Sequence, residues 1–289
     1  MAPILLLLAL LISSLGITEA QSTGVCYGKN GNNLPSEQEV VSLCETNGIG
    51  RMRIYNPDQQ TLHAIRGSST ELILAYASDV KFRHIAVGNE VHPGDANAKY
   101  VLPAMQNVHN AIVAANLQDQ IKVSTAIDTT LLGISYPPSN DSFTPLLANI
   151  YPYFSYTNDP QSISLEYALF TEAGIVVTDG QYGYQNLFDA LLDSLYSALE
   201  KAGSPNLQIV VSESGWPSEG GDVATVNNAG TYYRNLINHV KQGTPKKSGQ
   251  AVETFLFSMF DENLKEAGIE QHFGLFLPNK QPKYQITFG

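Results

Sequence analysis

Short apolar segments alternate with longer amphipathic segments along almost the whole chain. The apolar segments are rich in Val, Ile, Leu and Tyr, as expected for strands that are buried on both faces of a parallel sheet. They predict eight strands, at residues 24–28, 51–55, 72–76, 83–88, 121–127, 146–154, 207–211 and 254–260.

Most of these strands are followed by a segment with helical periodicity. The clearest one has a leucine at every fourth position from Leu187 to Leu199 and ends at Gly203. Ser36 begins another helix, because Glu39 completes a capping box with it. Eight strands that alternate with helices predict an α/β fold, a (β/α)8 TIM barrel, with an open doubly wound sheet as the alternative. Further helices are predicted at residues 58–66, 95–115 (with Pro103 as a boundary or kink) and 225–241.

Two connections between predicted strands are too short for the helix that a parallel crossover normally contains. Residues 77–80 separate the third strand from the fourth, and the loop-like segment 130–145 separates the fifth from the sixth. We therefore expect an incomplete barrel that lacks an outer helix at each of these places.

The first residues are distinct from this pattern. The apolar run from Ile4 to Ile12 is too short to span a bilayer, and small and polar residues follow it as far as Ala20. This pattern predicts a secretory signal peptide over residues 1–20 and a single domain over residues 21–289. No second long apolar segment follows, so we expect no association with a membrane.

Composition excludes several kinds of function. A formal net charge of −11 without basic runs predicts no nucleic-acid partner. The six histidines lack the spacing of metal ligands, so neither a metal nor a cofactor is expected. Cys26 and Cys44 fall in a strand and a helix and are interpreted as unpaired core residues, with a disulfide as the alternative. Asn140 begins a glycosylation sequon in a predicted loop.

Three of the predicted strands are followed within two residues by an acidic residue. Glu90 follows the fourth strand, Glu213 the seventh and Asp261-Glu262 the eighth, while Asp128 after the fifth is a further candidate. The C-terminal ends of barrel strands meet at one face, where two carboxyl groups can hydrolyse a glycosidic bond. A single acid after a strand often only caps a helix, but three together favour catalysis.

Aromatic residues near the same strand ends indicate a carbohydrate ligand. Trp216, the only tryptophan, follows Glu213 by three residues, and its flat ring can support a sugar ring. A position in the core is the alternative for this side chain. The predicted substrate-binding residues are Tyr27, Tyr55, Tyr151, Trp216 and Phe273.

Five further motifs lie at residues 24–28, 50–55, 87–91, 211–218 and 259–263. Together they resemble the plant glucan endo-1,3-β-glucosidases (β-1,3-glucanases) of glycoside hydrolase family 17. The resemblance covers nearly all of the chain after residue 20. It implies a (β/α)8 barrel that hydrolyses internal bonds of β-1,3-glucan with retention, as a secreted, extracellular protein of the apoplast or cell wall. Plant defence or wall remodelling is the implied role, and we expect a monomer.

The resemblance also implies a role for each acid. Glu213 corresponds to the nucleophile and Glu90 to the proton donor, or acid/base, of the family. Lys265 is expected to favour the ionised form of Glu213, because a nearby cation stabilises a carboxylate. Retention predicts that the two catalytic carboxyl groups lie about 5–5.5 Å apart. The supporting residues are Asn89, Glu262, Lys265 and Glu270.

The chain departs from the family at the two short connections. Members carry a longer segment with a helix between the third and fourth strands and a longer segment after the fifth, so two internal segments are missing here. One alternative to an active enzyme is therefore a glucan-binding protein with impaired catalysis, since a displaced site loses rate. A second alternative is a hydrolase of mixed β-1,3-1,4-glucan.

Overall fold

The structure is a computed structural model that describes residues 23–73, 81–130 and 146–288. The predicted signal peptide, residues 77–80, the segment 131–145 and the Asn140 sequon lie outside the described residues. Within the described ranges, no helix is both long enough and apolar enough to cross a membrane.

The described residues contain ten strands, which are β1 (Thr23–Tyr27), β2 (Arg51–Ile54), β3 (Glu71–Ile73), β4 (Lys81–Asn89), β5 (Lys122–Asp128), β6 (Leu146–Asn149), β7 (Val177–Asp179), β8 (Tyr182–Tyr184), β9 (Ile209–Ser214) and β10 (Thr254–Leu256). Eight of these strands are parallel and close into a barrel in the order β1–β10–β9–β6–β5–β4–β3–β2. The other two strands, β7 and β8, form a separate antiparallel hairpin. The predicted (β/α)8 barrel is confirmed, and the open sheet is excluded because the ring closes.

The barrel closes across both short connections. Strand β3 pairs with β4, so that Leu72 lies opposite Phe82. Strand β5 pairs in the same way with β6, and Ile127 lies opposite Ala148. The sheet is therefore continuous at the two places where the sequence predicts an incomplete barrel. The connecting residues 74–80 and 131–145 are not described, so the loss of outer helices there stays a prediction.

The described helices surround this ring. At the start of the first helix, the Ser36 backbone N–H donates to Glu39 Oε2 at 3.0 Å, which confirms the capping box. Pro103, predicted to be a helix boundary or a kink, lies inside the third helix, so it is not a boundary. The helices are α1 (Glu37–Thr46), α2 (Gln59–Ile65), α3 (Ala98–Ala114), α4 (Pro152–Asn158), α5 (Leu165–Ala168), α6 (Leu187–Lys201) and α7 (Val226–His239).

The strand predicted over residues 146–154 is too long. Strand β6 ends at Asn149, and α4 begins at Pro152. Proline has a fixed φ that suits the first position of a helix and has no N–H for a sheet, so Pro152 separates the two elements. The last predicted strand likewise ends at Leu256 rather than at residue 260. Helix α5 and the β7–β8 hairpin were not predicted.

A small apolar cluster fills the inside of the ring. Its members come from six different strands and alternate with residues that pack against the outer helices. Cys26 belongs to this cluster and Cys44 is buried in α1. Both thiols are free, which confirms their interpretation as unpaired core residues. The cluster consists of Cys26, Ile73, Ala126, Leu147, Val210 and Phe255.

Helix α6 packs against the ring on a face that differs slightly from the predicted one. Leu187 and Leu195 are buried, as the leucine repeat predicts, but Leu191 and Leu199 are only half-buried. Leu192, outside the repeat, is fully buried. A helix has 3.6 residues per turn, so a strict four-residue repeat drifts away from the core.

We expect the substitution Leu192→Ala to lower the free energy of unfolding by about 2–5 kcal/mol, since it leaves a cavity in packed surroundings. Leu102→Ala is the matched control, because Leu102 is 55% exposed on α3, and it is expected to change stability by less than about 0.5 kcal/mol. Urea unfolding followed by circular dichroism measures both. Equal losses for the two variants would contradict this packing of α6.

Candidate active site

Glu213 lies in β9 at the C-terminal end of the barrel, and only 5% of the residue is exposed. Its Oε1 accepts hydrogen bonds from Arg53 Nη1 at 2.8 Å and from the Tyr55 hydroxyl at 2.9 Å. Its Oε2 accepts one from the Tyr151 hydroxyl at 2.7 Å. These donors come from β2 and from the ends of β2 and β6, and they hold the carboxylate in one orientation.

Arg53 is the buried cation of the site. Its side chain points into the ring from β2 and makes an ion pair of 2.8 Å with Glu213. The guanidinium also donates to the Ser212 carbonyl at 2.8 Å and to Asn89 Oδ1 at 2.8 Å. Arg53 is not among the site residues predicted from the sequence. The signal was present, because a charge inside an apolar strand is costly to bury unless it is paired.

Glu90 follows β4 directly and has a positive φ of 52°. Its backbone N–H donates to the Ala126 carbonyl on β5 at 2.8 Å. Its Oε1 accepts a hydrogen bond from Asn149 Nδ2 at 2.7 Å. Burial raises the pKa of Glu90, the Asn149 hydrogen bond opposes this rise, and the negative charge of Glu213 adds to it.

The two carboxyl groups therefore have different environments within one site. A short path of hydrogen bonds links them. The amide nitrogen of Asn149 donates to Glu90, and the amide oxygen of Asn149 accepts from Arg53 at 3.2 Å. Arg53 in turn donates to Glu213. Both carboxyl groups line the same cleft of about 640 Å³. A carboxyl group with a raised pKa beside one paired with a cation is suited to acid and nucleophile chemistry, respectively.

The predicted supporting cluster lies along the same cleft, with one difference in its contacts. Glu262 is buried, and its Oε1 accepts from the Asn30 backbone N–H at 2.6 Å. Lys265 Nζ lies 2.9 Å from Glu262 Oε2, so this lysine forms its ion pair with Glu262. The cation at Glu213 is Arg53 rather than the expected Lys265. Burial raises the pKa of Glu270, and Lys265 opposes that rise.

Four of the five predicted substrate-binding residues line the cleft: Tyr27, Tyr55, Tyr151 and Phe273. Tyr55 and Tyr151 also hold Glu213. The aromatic wall contains two rings that the sequence analysis missed, Phe154 and Phe257, which pack against Phe273 with ring centres 6.4 and 5.3 Å away. Apolar ring faces of this kind suit the apolar faces of sugar rings.

Trp216 does not line the cleft, and its prediction as a substrate-binding residue is wrong. The residue is fully buried. Its indole ring packs against Tyr153 of α4 and Tyr232 of α7, and its Nε1 donates to the Val223 carbonyl at 3.0 Å. The turn after β9 places the ring under the outer helices, so the core alternative is correct.

Asp128, the further acidic candidate, also lies in the cleft but is engaged elsewhere. Its Oδ1 accepts from the Thr130 backbone N–H at 2.8 Å. Its Oδ2 lies 2.9 Å from His92 Nε2. The contact with His92 connects the loop that follows Glu90 to the end of β5, so Asp128 supports that loop.

The chain matches a known family along nearly all of its described length. Residues 23–78, 69–145 and 140–288 match the model of the family described as glycosyl hydrolases family 17. A glucan endo-1,3-β-glucosidase of Vitis vinifera is 58% identical over 335 positions, which cover 99% of this chain and 97% of the relative. An acidic isoform of glucan endo-1,3-β-glucosidase from Nicotiana tabacum is 50% identical, and the alignment covers 100% of this chain and 97% of the relative.

Solved structures agree with these relatives. A β-1,3-glucanase and allergen of Cryptomeria japonica pollen has a TM-score of 0.85 and 42% identity, covering 93% of this chain and 99% of that one. A second similar structure is one of two plant β-glucan endohydrolases that are described as having distinct substrate specificities. It has a TM-score of 0.84 and 43% identity, and the match covers 91% of this chain and 99% of that one.

The alignment with the Vitis vinifera relative shows that this chain lacks positions that the relative has. The 335 aligned positions with the Vitis vinifera relative exceed the 289 residues of the chain, so at least 46 positions (335 − 289 = 46) have no residue here. The three matched stretches meet at residues 69–78 and 140–145. These are the places where the sequence predicts short connections.

Gly28 permits the close approach of Glu262, since an added Cβ would overlap both carboxylate oxygens. We expect Gly28→Ala to lower the free energy of unfolding by about 1–3 kcal/mol through this overlap. Gly94→Ala is the matched control, because a Cβ at Gly94 meets nothing within 4 Å. Thermal unfolding measures both variants.

The double variant Gly28→Ala/Glu262→Ala separates the overlap from other effects. If the Gly28 cost arises from the Glu262 carboxylate, it is smaller in the Glu262→Ala background than in the original chain. Equal costs in the two backgrounds would show that the close approach is not the reason for glycine at this position.

Proposed function

Since the chain belongs to family 17 of the glycosyl hydrolases, we propose that it hydrolyses internal β-1,3-glucosidic bonds of β-1,3-glucan with retention of configuration. The observation that carries this proposal is the pair formed by Glu90 and Glu213, which face one cleft in different electrostatic environments. The names of the relatives from Vitis vinifera and Nicotiana tabacum support the substrate.

Two displacement steps account for retention. In the first step, a Glu213 oxygen attacks the anomeric carbon while Glu90 gives its proton to the departing glycosidic oxygen, which leaves a glycosyl ester on Glu213. In the second step, Glu90 takes a proton from water, and the resulting hydroxide attacks the same carbon and releases Glu213. The two inversions restore the original configuration.

The hydrogen bonds at the two acids suit these roles. Arg53, Tyr55 and Tyr151 donate to Glu213, so the attacking carboxylate is already oriented before substrate arrives. The pKa of Glu90 is raised mainly by burial, which keeps its proton available at a pH where an ordinary glutamate is ionised. Activity is therefore lost as the pH rises through the pKa of Glu90.

The shape of the cleft supports cleavage within a polymer. Its lining includes Asp58 and Thr61 after β2, and Asp128 and Thr130 at the end of β5, so it extends past the acid pair around the end of the barrel. Such a cleft binds sugar units on both sides of the scissile bond, and its mixture of tyrosine, phenylalanine and asparagine is suited to a neutral glucan.

Two alternatives have specific observations behind them. The missing internal segments favour a glucan-binding protein with impaired catalysis, because loss of outer structure can displace the acids. Hydrolysis of mixed β-1,3-1,4-glucan is the other alternative, because a related structure is described as one of two plant β-glucan endohydrolases with distinct substrate specificities. The same assay separates all three.

We expect the purified protein to release reducing sugar from a linear β-1,3-glucan, and Glu213→Gln to lower this rate by about a thousandfold or more. Glutamine keeps the size of the side chain but removes the nucleophilic oxygen. Glu45→Gln is the matched control, because Glu45 is exposed on α1, and it is expected to leave the rate unchanged.

Each other outcome supports a different reading. Binding of the β-1,3-glucan without release by the folded protein would favour the impaired, glucan-binding alternative. Release from mixed β-1,3-1,4-glucan alone would favour the other linkage. A Glu213→Gln variant with the rate of the unchanged protein would remove Glu213 from the mechanism.

We also propose that residues 1–20 direct secretion to the apoplast or cell wall and are then removed, and that residues 21–289 act there as a monomer in defence or wall remodelling. The apolar run at the start of the sequence supports this proposal. Expression of the full chain in plant cells is expected to yield extracellular protein that begins at Gln21, as measured by N-terminal sequencing. Retention inside the cells with residue 1 intact would contradict it.

A further inference from the structure

Asn149 occupies a central position that the sequence analysis did not anticipate. It is the last residue of β6, and only 1% of it is exposed. Its Oδ1 accepts from Arg53 Nη1 at 3.2 Å and from Ser212 Oγ at 2.7 Å. Its Nδ2 donates to Glu90 Oε1 at 2.7 Å and to Asn89 Oδ1 at 3.1 Å. Both hydrogens of the amide therefore have acceptors.

The orientation of this amide follows from its partners. A guanidinium has only donors, so the atom of Asn149 that faces Arg53 must be the oxygen. Arg53 Nη2 fixes the oxygen of Asn89 in the same way, at 2.8 Å. The amide nitrogen of Asn149 consequently points at Glu90, and a flip of the amide would place two donors against each other.

We propose that Asn149 is a positioning residue for Glu90, which it holds through Oε1 so that the transferable proton resides on Oε2. The proposal rests on the proposed function, in which Glu90 is the acid/base. An oxygen that accepts a short hydrogen bond from a fixed donor is a poor site for a proton. The free oxygen, Oε2, is then the one that exchanges the proton with the glycosidic oxygen and with water.

The same hydrogen bond limits the tendency of Glu90 to stay protonated. Burial and the negative charges of Glu213 on β9 and Asp128 on β5 raise the pKa of Glu90, whereas the Asn149 amide and Arg53 on β2 lower it. His92, on the loop after Glu90, contacts Asp128. Glu90 must lose a proton in one step and gain one in the next, so both forms must be accessible.

The test is the pH dependence of kcat/KM on a linear β-1,3-glucan. Asn149→Ala removes the N–H that donates to Glu90. The limb of the pH profile at high pH, where activity falls because Glu90 loses its proton, is therefore expected to move about one pH unit higher. Asn149→Asp has the same shape and can still accept from Arg53, but an ionised carboxylate cannot donate, so its limb moves in the same direction. Circular dichroism verifies that each variant is folded.

Ser212→Ala is the matched control. Ser212 Oγ contacts only the oxygen side of Asn149, and Arg53 continues to fix the amide, so the limb at high pH is expected to stay in place. A lower kcat in the Asn149 variants with an unmoved limb would mean that Asn149 only supports the fold, and it would overturn the proposal.

Glu90→Gln distinguishes a failure of this proposal from a failure of the proposed function. This variant is expected to lose the limb at high pH together with most of the activity. If Glu90→Gln keeps the rate and the limb of the original protein, Glu90 is not the acid/base and the proposed function itself fails. If Glu90→Gln behaves as expected but both Asn149 variants keep the original limb, only the role of Asn149 is wrong.

Discussion

The buried guanidinium of Arg53 is the constraint on which the site depends. An unpaired charge in the interior costs several kcal/mol, so a cation at this depth requires a full set of acceptors around it. The ring supplies Glu213 and the Ser212 carbonyl from β9, Asn149 from β6 and Asn89 from β4. The need to pair one cation therefore fixes side chains from four strands relative to one another.

This arrangement gives the two carboxyl groups different properties although they share a cleft. Glu213 contacts the cation directly and is surrounded by donors, which suits a carboxylate. Glu90 is half-buried, and its side chain accepts a hydrogen bond from the neutral amide of Asn149. Burial raises the pKa of Glu90 above the ordinary value, although this hydrogen bond opposes the rise. Paired carboxyl groups in unlike environments are the general means by which one site supplies both an acid and a nucleophile.

The chain lacks segments that its relatives have, yet the site residues all lie on elements that remain. Arg53, Asn149 and Glu213 belong to β2, β6 and β9, and Glu90 directly follows β4. The strand pairings on either side of each short connection close the ring. Since hydrogen-bonded strands rather than outer segments hold these side chains, the geometry of the site depends on closure of the ring.

The sequence by itself determined the eight barrel strands, most helices and the acids at the strand ends, because apolar runs, capping signals and the residues after a strand are local features. The tertiary structure decided the partners. Arg53 and Glu213 are 160 positions apart. A charge inside a buried strand indicates only that Arg53 needs a partner, and no local pattern indicates that this partner is Glu213. The burial of Trp216 likewise depends on Tyr153 and Tyr232, from two distant helices, because exposure is a property of packing rather than of residue type.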